Sequence, residues 1–158
     1  MVIDSTLTLI VTALIMTGLL AGASLDKSLV QLPARHRMGM SNFAAFSRAN
    51  DLGNGLVVYP VLGIGSALSA IAAALAAYWQ GLSFTDAGPL YLSAFLAVLH
   101  TISTTQAAPN MLQLRQPIHD ENTLLLIFRR FERWHNVRMV LQVLNFITLI
   151  WALIIYTM

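Results

Sequence analysis

The chain has 158 residues, of which 57% are hydrophobic and 10% charged. An ordinary soluble domain carries about 25% charged residues, so this composition, with a mean hydropathy of +0.69, excludes the soluble globular class. With no cysteine in the chain, disulfides, thiolate metal centres and c-type haem attachment are excluded as well.

Four apolar stretches, 3–25, 55–79, 87–108 and 137–156, can each cross the hydrocarbon layer, which takes roughly 20 residues. They predict one all-α domain over 1–158, an integral membrane up-down-up-down four-helix bundle. The first stretch has no basic segment before it and is longer than a signal-peptide core, so it reads as a retained span. Its "GLLAG" places Gly18 and Gly22 at the spacing that lets membrane helices approach closely. In the following connection, "SNFAAFSRAND" (41–51) offers Ser41 as an N-cap and then Phe43 and Phe46 at helical spacing, which predicts a short interfacial helix. Pro60 should kink the second span near its start. Ala67, Ala70, Ala74 and Ala77 form a small-residue seam on it, suited to packing inside the bundle or to docking a partner.

The third span is polar in its second half, "LHTISTTQAAPN". In the connection that follows it, Leu124, Phe128 and Phe131 share a face, with Arg129, Arg130 and Arg133 largely off it. That pattern predicts a second interfacial helix over 121–136, resting on anionic lipid and leading into the fourth span.

All nine Lys and Arg residues lie in the two long connections or at the start of the fourth span. The positive-inside rule then places the connections in the cytoplasm and both termini outside; the expected setting is a multi-pass protein of the bacterial inner membrane. Tyr78, Trp79, Tyr91, Trp151 and Tyr156 suit an outer aromatic belt and Trp134 an inner one. The same scatter of basic residues satisfies topology without forming a nucleic-acid face. The lipid bilayer is the expected partner, and no nucleic acid is.

Polar groups inside spans are costly and by default face the bundle interior. Counting eight residues inward from 108 and 137, the apolar ends of the third and fourth spans, gives His100 and Asn145, each roughly 12 Å deep. The same count gives Thr17 and Gly63 on the other two spans. His135, Arg138, Gln142 and Asn145 repeat on one helical face, as do His100, Ser103, Ala107 and Asn110. Two facing stripes predict a polar cleft between spans three and four. Simple hydrogen bonding across the bundle is the alternative. The four histidines, His36, His100, His119 and His135, show no metal-ligand spacing, so no metal and no cofactor is expected; haem on His100 and a second histidine is the alternative.

With "APNMLQL" followed by "FRRFERWHNVRMVLQVLNF", the chain resembles a family of small four-span membrane proteins that includes the membrane anthrone oxygenases. Pro109 and Asn110, then Trp134, His135 and Arg138, stand at the family's recurrent positions. "AGASLDKSLVQLPARHRMG" and "DLGNG" resemble its N-terminal half. Two departures are visible: the family's Pro and Asn are usually separated by one residue, and His135 stands where Asn is common.

The resemblance implies a cofactor-independent oxygenase acting on a lipophilic aromatic or quinone-like substrate. The catalytic candidates are His100 or His135 as base, with Asn145 and Arg138 stabilising an oxyanion. Thr17, Thr104, Asn110, Trp134 and Gln142 are the substrate-binding candidates. The alternative is a non-enzymatic small subunit or lipid- and ligand-binding scaffold, assembling with itself or within a larger membrane complex.

Overall fold

The computed structural model describes residues 5–158, so the start of the first predicted span at Ile3 lies outside the described residues. The described chain is helical with short connections. Its long helices are α1 (Ser5–Asp26), α4 (Gly55–Trp79), α5 (Phe84–Leu112) and α6 (Glu121–Thr157). Two shorter ones, α2 (Leu32–Met38) and α3 (Met40–Ala49), lie between α1 and α4. Four helical stretches are long and apolar enough to cross a membrane. Each long helix packs on its neighbour in sequence, and α1 also packs on α6, closing a four-helix arrangement.

The helices turn many large apolar side chains outward and bring many small or polar ones inward. Ile15 and Leu19 on α1, Leu68 on α4, Phe95 on α5 and Ile147 on α6 are exposed, while Ala13, Ala70, Ala97 and Leu149 are buried together. A water-soluble bundle does the reverse. Outer leucines and isoleucines are consistent with contact to lipid tails, and packing between membrane helices favours small residues that bring backbones together. Thus Ala70, Ala74 and Ala77 are spent inside the bundle. At Gly18, an added Cβ would fall 2.8 Å from the Phe146 ring, so that glycine is where α1 and α6 draw close.

The two amphipathic segments depart from expectation. Residues 121–136 are not a separate helix but the first turns of the 37-residue α6. Phe128 meets Phe43 of α3 with ring centroids 5.1 Å apart, and both are fully buried. Leu32, Leu114, Leu124 and Phe131 join them in one core cluster. Two apolar faces that each suit a lipid surface bury each other instead. The α3 helix starts one residue before Ser41, after Gly39, whose φ of +80° is open to glycine at little cost. The backbone break ahead of α4 falls at Gly53 (φ −86°, ψ −119°), whereas Pro60 sits inside the continuous helix.

Candidate functional site: a lipophilic cavity with a polar end

Between α1, α4, α5 and α6 lies a cavity of about 720 Å³. Small apolar side chains seal the bundle around Ala70 and Ala97. Below that level α4 carries Gly63, Pro60 and Tyr59, and the cavity occupies the space between the helices. Most of its wall is apolar; its polar members are Ser24, Lys27, Asp51, Tyr59, His100, Thr101, Thr104, His135, Arg138 and Gln142.

The register of α5 against α6 decides which polar groups meet. Ser93 Oγ donates to Asn145 Oδ1 at 2.7 Å. Seven residues along each antiparallel helix from that pair lie His100 and Arg138, so His100 is level with Arg138, about 10 Å from the Asn145 level. The predicted pairing of His100 with Asn145 is therefore out by two helical turns. The turn spanning Gln116 to Asp120 sets the register, and the apolar ends used for counting do not coincide with it.

Of the polar run in α5, most hydroxyls satisfy themselves on their own helix. Thr101 donates to the Ala97 carbonyl, Ser103 and Thr104 to that of His100, and Thr105 to that of Ile102, all within 2.9 Å. This local back-bonding is the usual fate of a hydroxyl in an apolar helix. His100 is what remains. It is 3% exposed, and its Nδ1 makes no hydrogen bond of good geometry.

His135 has no such freedom. Arg138 Nη2 lies 2.6 Å from its Nδ1, and an arginine can only donate. Nδ1 is therefore the acceptor, the ring is neutral, and Nε2 carries the proton that it donates to the Ser24 carbonyl at 3.3 Å. Phe131 stacks on the ring at 5.1 Å. With both nitrogens engaged, His135 orients Arg138 and has no lone pair left for a base or a metal. Among the described residues, no group of three or more His, Asp or Glu is placed to hold a metal ion.

The Arg138 Nε is buried without a partner, as is Gln142 Oε1 one turn further along α6. At the same end, Lys27 Nζ and Asp51 form an ion pair at 2.6 Å, 6% and 8% exposed, with Gln31 accepting a second bond from Lys27 at 3.2 Å. Arg35 and Glu132 tie α2 to α6 at 2.7 Å.

Of the nine sequence-predicted site residues, His100, His135, Arg138, Thr104 and Gln142 line the cavity. Asn145 is fully buried and held by Ser93, and Thr17 is buried in the bundle interior. Asn110 bonds the Gln106 carbonyl of its own helix, and Trp134 is 37% exposed; none of these four lines the cavity. Sequence reasoning missed Lys27, Asp51 and Tyr59. Lys27 counts among the topological charges and Asp51 falls at the end of the predicted interfacial helix, and neither pattern marks the two as a pair.

Comparison of the chain with family models, with curated proteins and with solved structures gives no match.

Proposed function

We propose that this is a multi-pass membrane protein that takes a lipophilic aromatic or quinone-like molecule into the cavity and oxidises it with O₂, as its resemblance to anthrone oxygenases implies. The observation that carries the reading is an apolar cavity of about 720 Å³ with buried, unpartnered polar atoms of His100, Arg138 and Gln142 at one end. That is the form of a small-molecule site: apolar walls for affinity and a few convergent polar groups for orientation.

In this reading His100 is the base, since its Nδ1 is unpaired and it faces the cavity. It takes a proton from an activated CH₂ flanked by aromatic rings. Arg138, oriented by His135, holds the resulting enolate oxygen. The carbanion gives electrons to O₂ and the new C–O bond makes a peroxide. Protonated, the peroxide loses water and leaves a ketone: R₂CH₂ + O₂ gives R₂C=O + H₂O. Among the exposed basic residues are Arg37, Arg115, Arg129, Arg130 and Arg133, all at the end holding the two long connections. They support placing that end in the cytoplasm, with both termini across the membrane.

The test is enzyme-dependent O₂ uptake with an anthrone in reconstituted membranes. His100→Gln keeps a polar side chain but removes the base, and should lower the rate about a hundredfold. A rate unchanged by His100→Gln overturns the base. Uptake no faster than the protein-free control, together with a lipophile retained in native mass spectrometry, would favour the binding-protein reading, which shares the cavity without the reaction.

A further inference from the structure

We infer that the cavity seats a single ionised oxygen of its lipophilic ligand on Arg138, and that the ligand arrives sideways from the bilayer between α4 and α5. The inference rests on the cavity being a ligand site, as proposed above, and adds the charge and the route of what it binds.

The charge follows from the wall. Its formally charged residues are Lys27, Arg138 and Asp51. Lys27 and Asp51 neutralise each other at 2.6 Å. That leaves one positive charge, whose hydrogen-bonded neighbour, His135, is neutral. No carboxylate of the described residues lies within ion-pair distance of Arg138; Asp51 attracts it through space but is bonded to Lys27. A cation inside a span is costly without an anionic partner, and a carboxylate or phenolate ligand supplies one. Two further unpartnered atoms, His100 Nδ1 and Gln142 Oε1, lie in the same wall on residues 3% and 2% exposed. They mark the same end as polar; the Gln142 oxygen can only accept, so it takes no part in holding the ionised oxygen, which falls to Arg138.

The route follows from the rims. Cavity-lining Ile64 and Leu68 of α4 and Val98 and Ile102 of α5 are also among the exposed apolar side chains. The same residues that bound the cavity thus face the surroundings of the bundle. Within the cavity, a Cβ on Gly63 would meet nothing within 4 Å, so this stretch of α4 leaves the gap open.

Two probes with one ionised oxygen separate the sources of such a ligand: a long-chain fatty acid for lipid, and an alkylated 2-hydroxy-1,4-naphthoquinone for an aromatic. Each is titrated into the protein in lipid nanodiscs beside its neutral methyl ester or methyl ether. The ionised form of at least one should bind about thirtyfold more tightly than its neutral partner, and Arg138→Gln should erase that difference. Whichever probe binds more tightly names the source. Equal affinity of ionised and neutral forms overturns the anion site. If Gly63→Trp, which fills the cavity, still blocks both forms, the cavity reading survives that failure. If no probe binds the wild-type protein, both fall. Arg138→Lys guards against misfolding, since it keeps the charge and should retain part of the preference. For the route, the chain's lack of cysteine permits a clean Ile64→Cys/Ile102→Cys variant bridged by a bifunctional maleimide. Bridging should slow association about tenfold or more; an unchanged association rate overturns lateral access.

Discussion

The two ends of the bundle are built from the same four helices and solve opposite problems. Around Gly81, which turns α4 toward α5 with φ +69°, Ala73, Ala74 and Ala77 meet Ala87, Leu90, Ile10 and Ala152 in a closed apolar core. At the other end α4 presents Tyr59, Pro60 and Ile64 to a cavity, and the chain is tied by ion pairs and by the Phe43–Phe128 core. In lipid, apolar surface gains little by exchanging tails for protein, so side-chain size sets how near two helices come. Alanine closes one end. Larger side chains and paired charges hold the other apart without letting it separate.

If the Lys27–Asp51 pair fastens the open end, breaking one side of it should produce the largest loss. The pair joins the turn Lys27–Gln31 to the turn Asn50–Asn54. Asp51→Leu leaves a buried ammonium with only Gln31 and the Phe43 and Phe46 rings beside it, at an expected cost of about 3 kcal/mol. The double change Lys27→Met/Asp51→Leu should recover most of that, because an apolar pair carries no desolvation penalty. Thermal unfolding in detergent followed by circular dichroism reads both. A single variant as stable as the wild type would show that the pair does not hold this end.

The closed end is tested by forcing it open. Ala73 is fully buried in the alanine core, and Ala73→Leu should destabilise the bundle by about 2 kcal/mol through overpacking. Leu75→Ala on the exposed face of the same helix should change stability little, since it only exchanges contacts with lipid. Equal effects from the two would mean that side-chain size does not set the approach of α4.

Much of this architecture is legible in the residues. Span number and the inward turn of Ala70, Ala74 and Ala77 follow from local pattern, which membrane packing rules read directly. The candidate site was half legible. The face His135, Arg138, Gln142 is a property of one helix and was visible as a periodicity, and all three line the cavity. Which partner each would meet depends on register, set by the Gln116 to Asp120 turn and by close contacts such as Ser93 with Asn145. No single-helix pattern contains that. Nor does periodicity reveal that a hydroxyl such as Thr101 or Thr104 is already satisfied on its own helix. The mutual burial of Phe43 and Phe128 was hidden for a similar reason: an amphipathic face reads alike whether lipid or protein covers it.

The smallest effect is expected where the open end begins its last helix. Asp120 caps α6, accepting from the amides of Asn122 and Thr123 and from the Thr123 hydroxyl. It lies in the connection before the helix, fully exposed, and the hydrogen bonds from Thr123 hold its carboxyl below the usual aspartate range. A carboxyl depressed in the folded state stabilises above its unfolded value, about pH 4, and that contribution is lost as pH falls through the lower folded value. Amide-exchange protection in the first turn of α6 should therefore weaken only at acid pH in the wild type. Asp120→Ala should lower protection there at neutral pH. Asp120→Asn keeps an acceptor for the amides and should be nearly neutral and indifferent to acid. Because solvent screens an exposed cap, the loss should stay within the first turn and leave the alanine-closed end unchanged. If exchange rises at both ends of the bundle, the two do not respond independently, and the division between them fails.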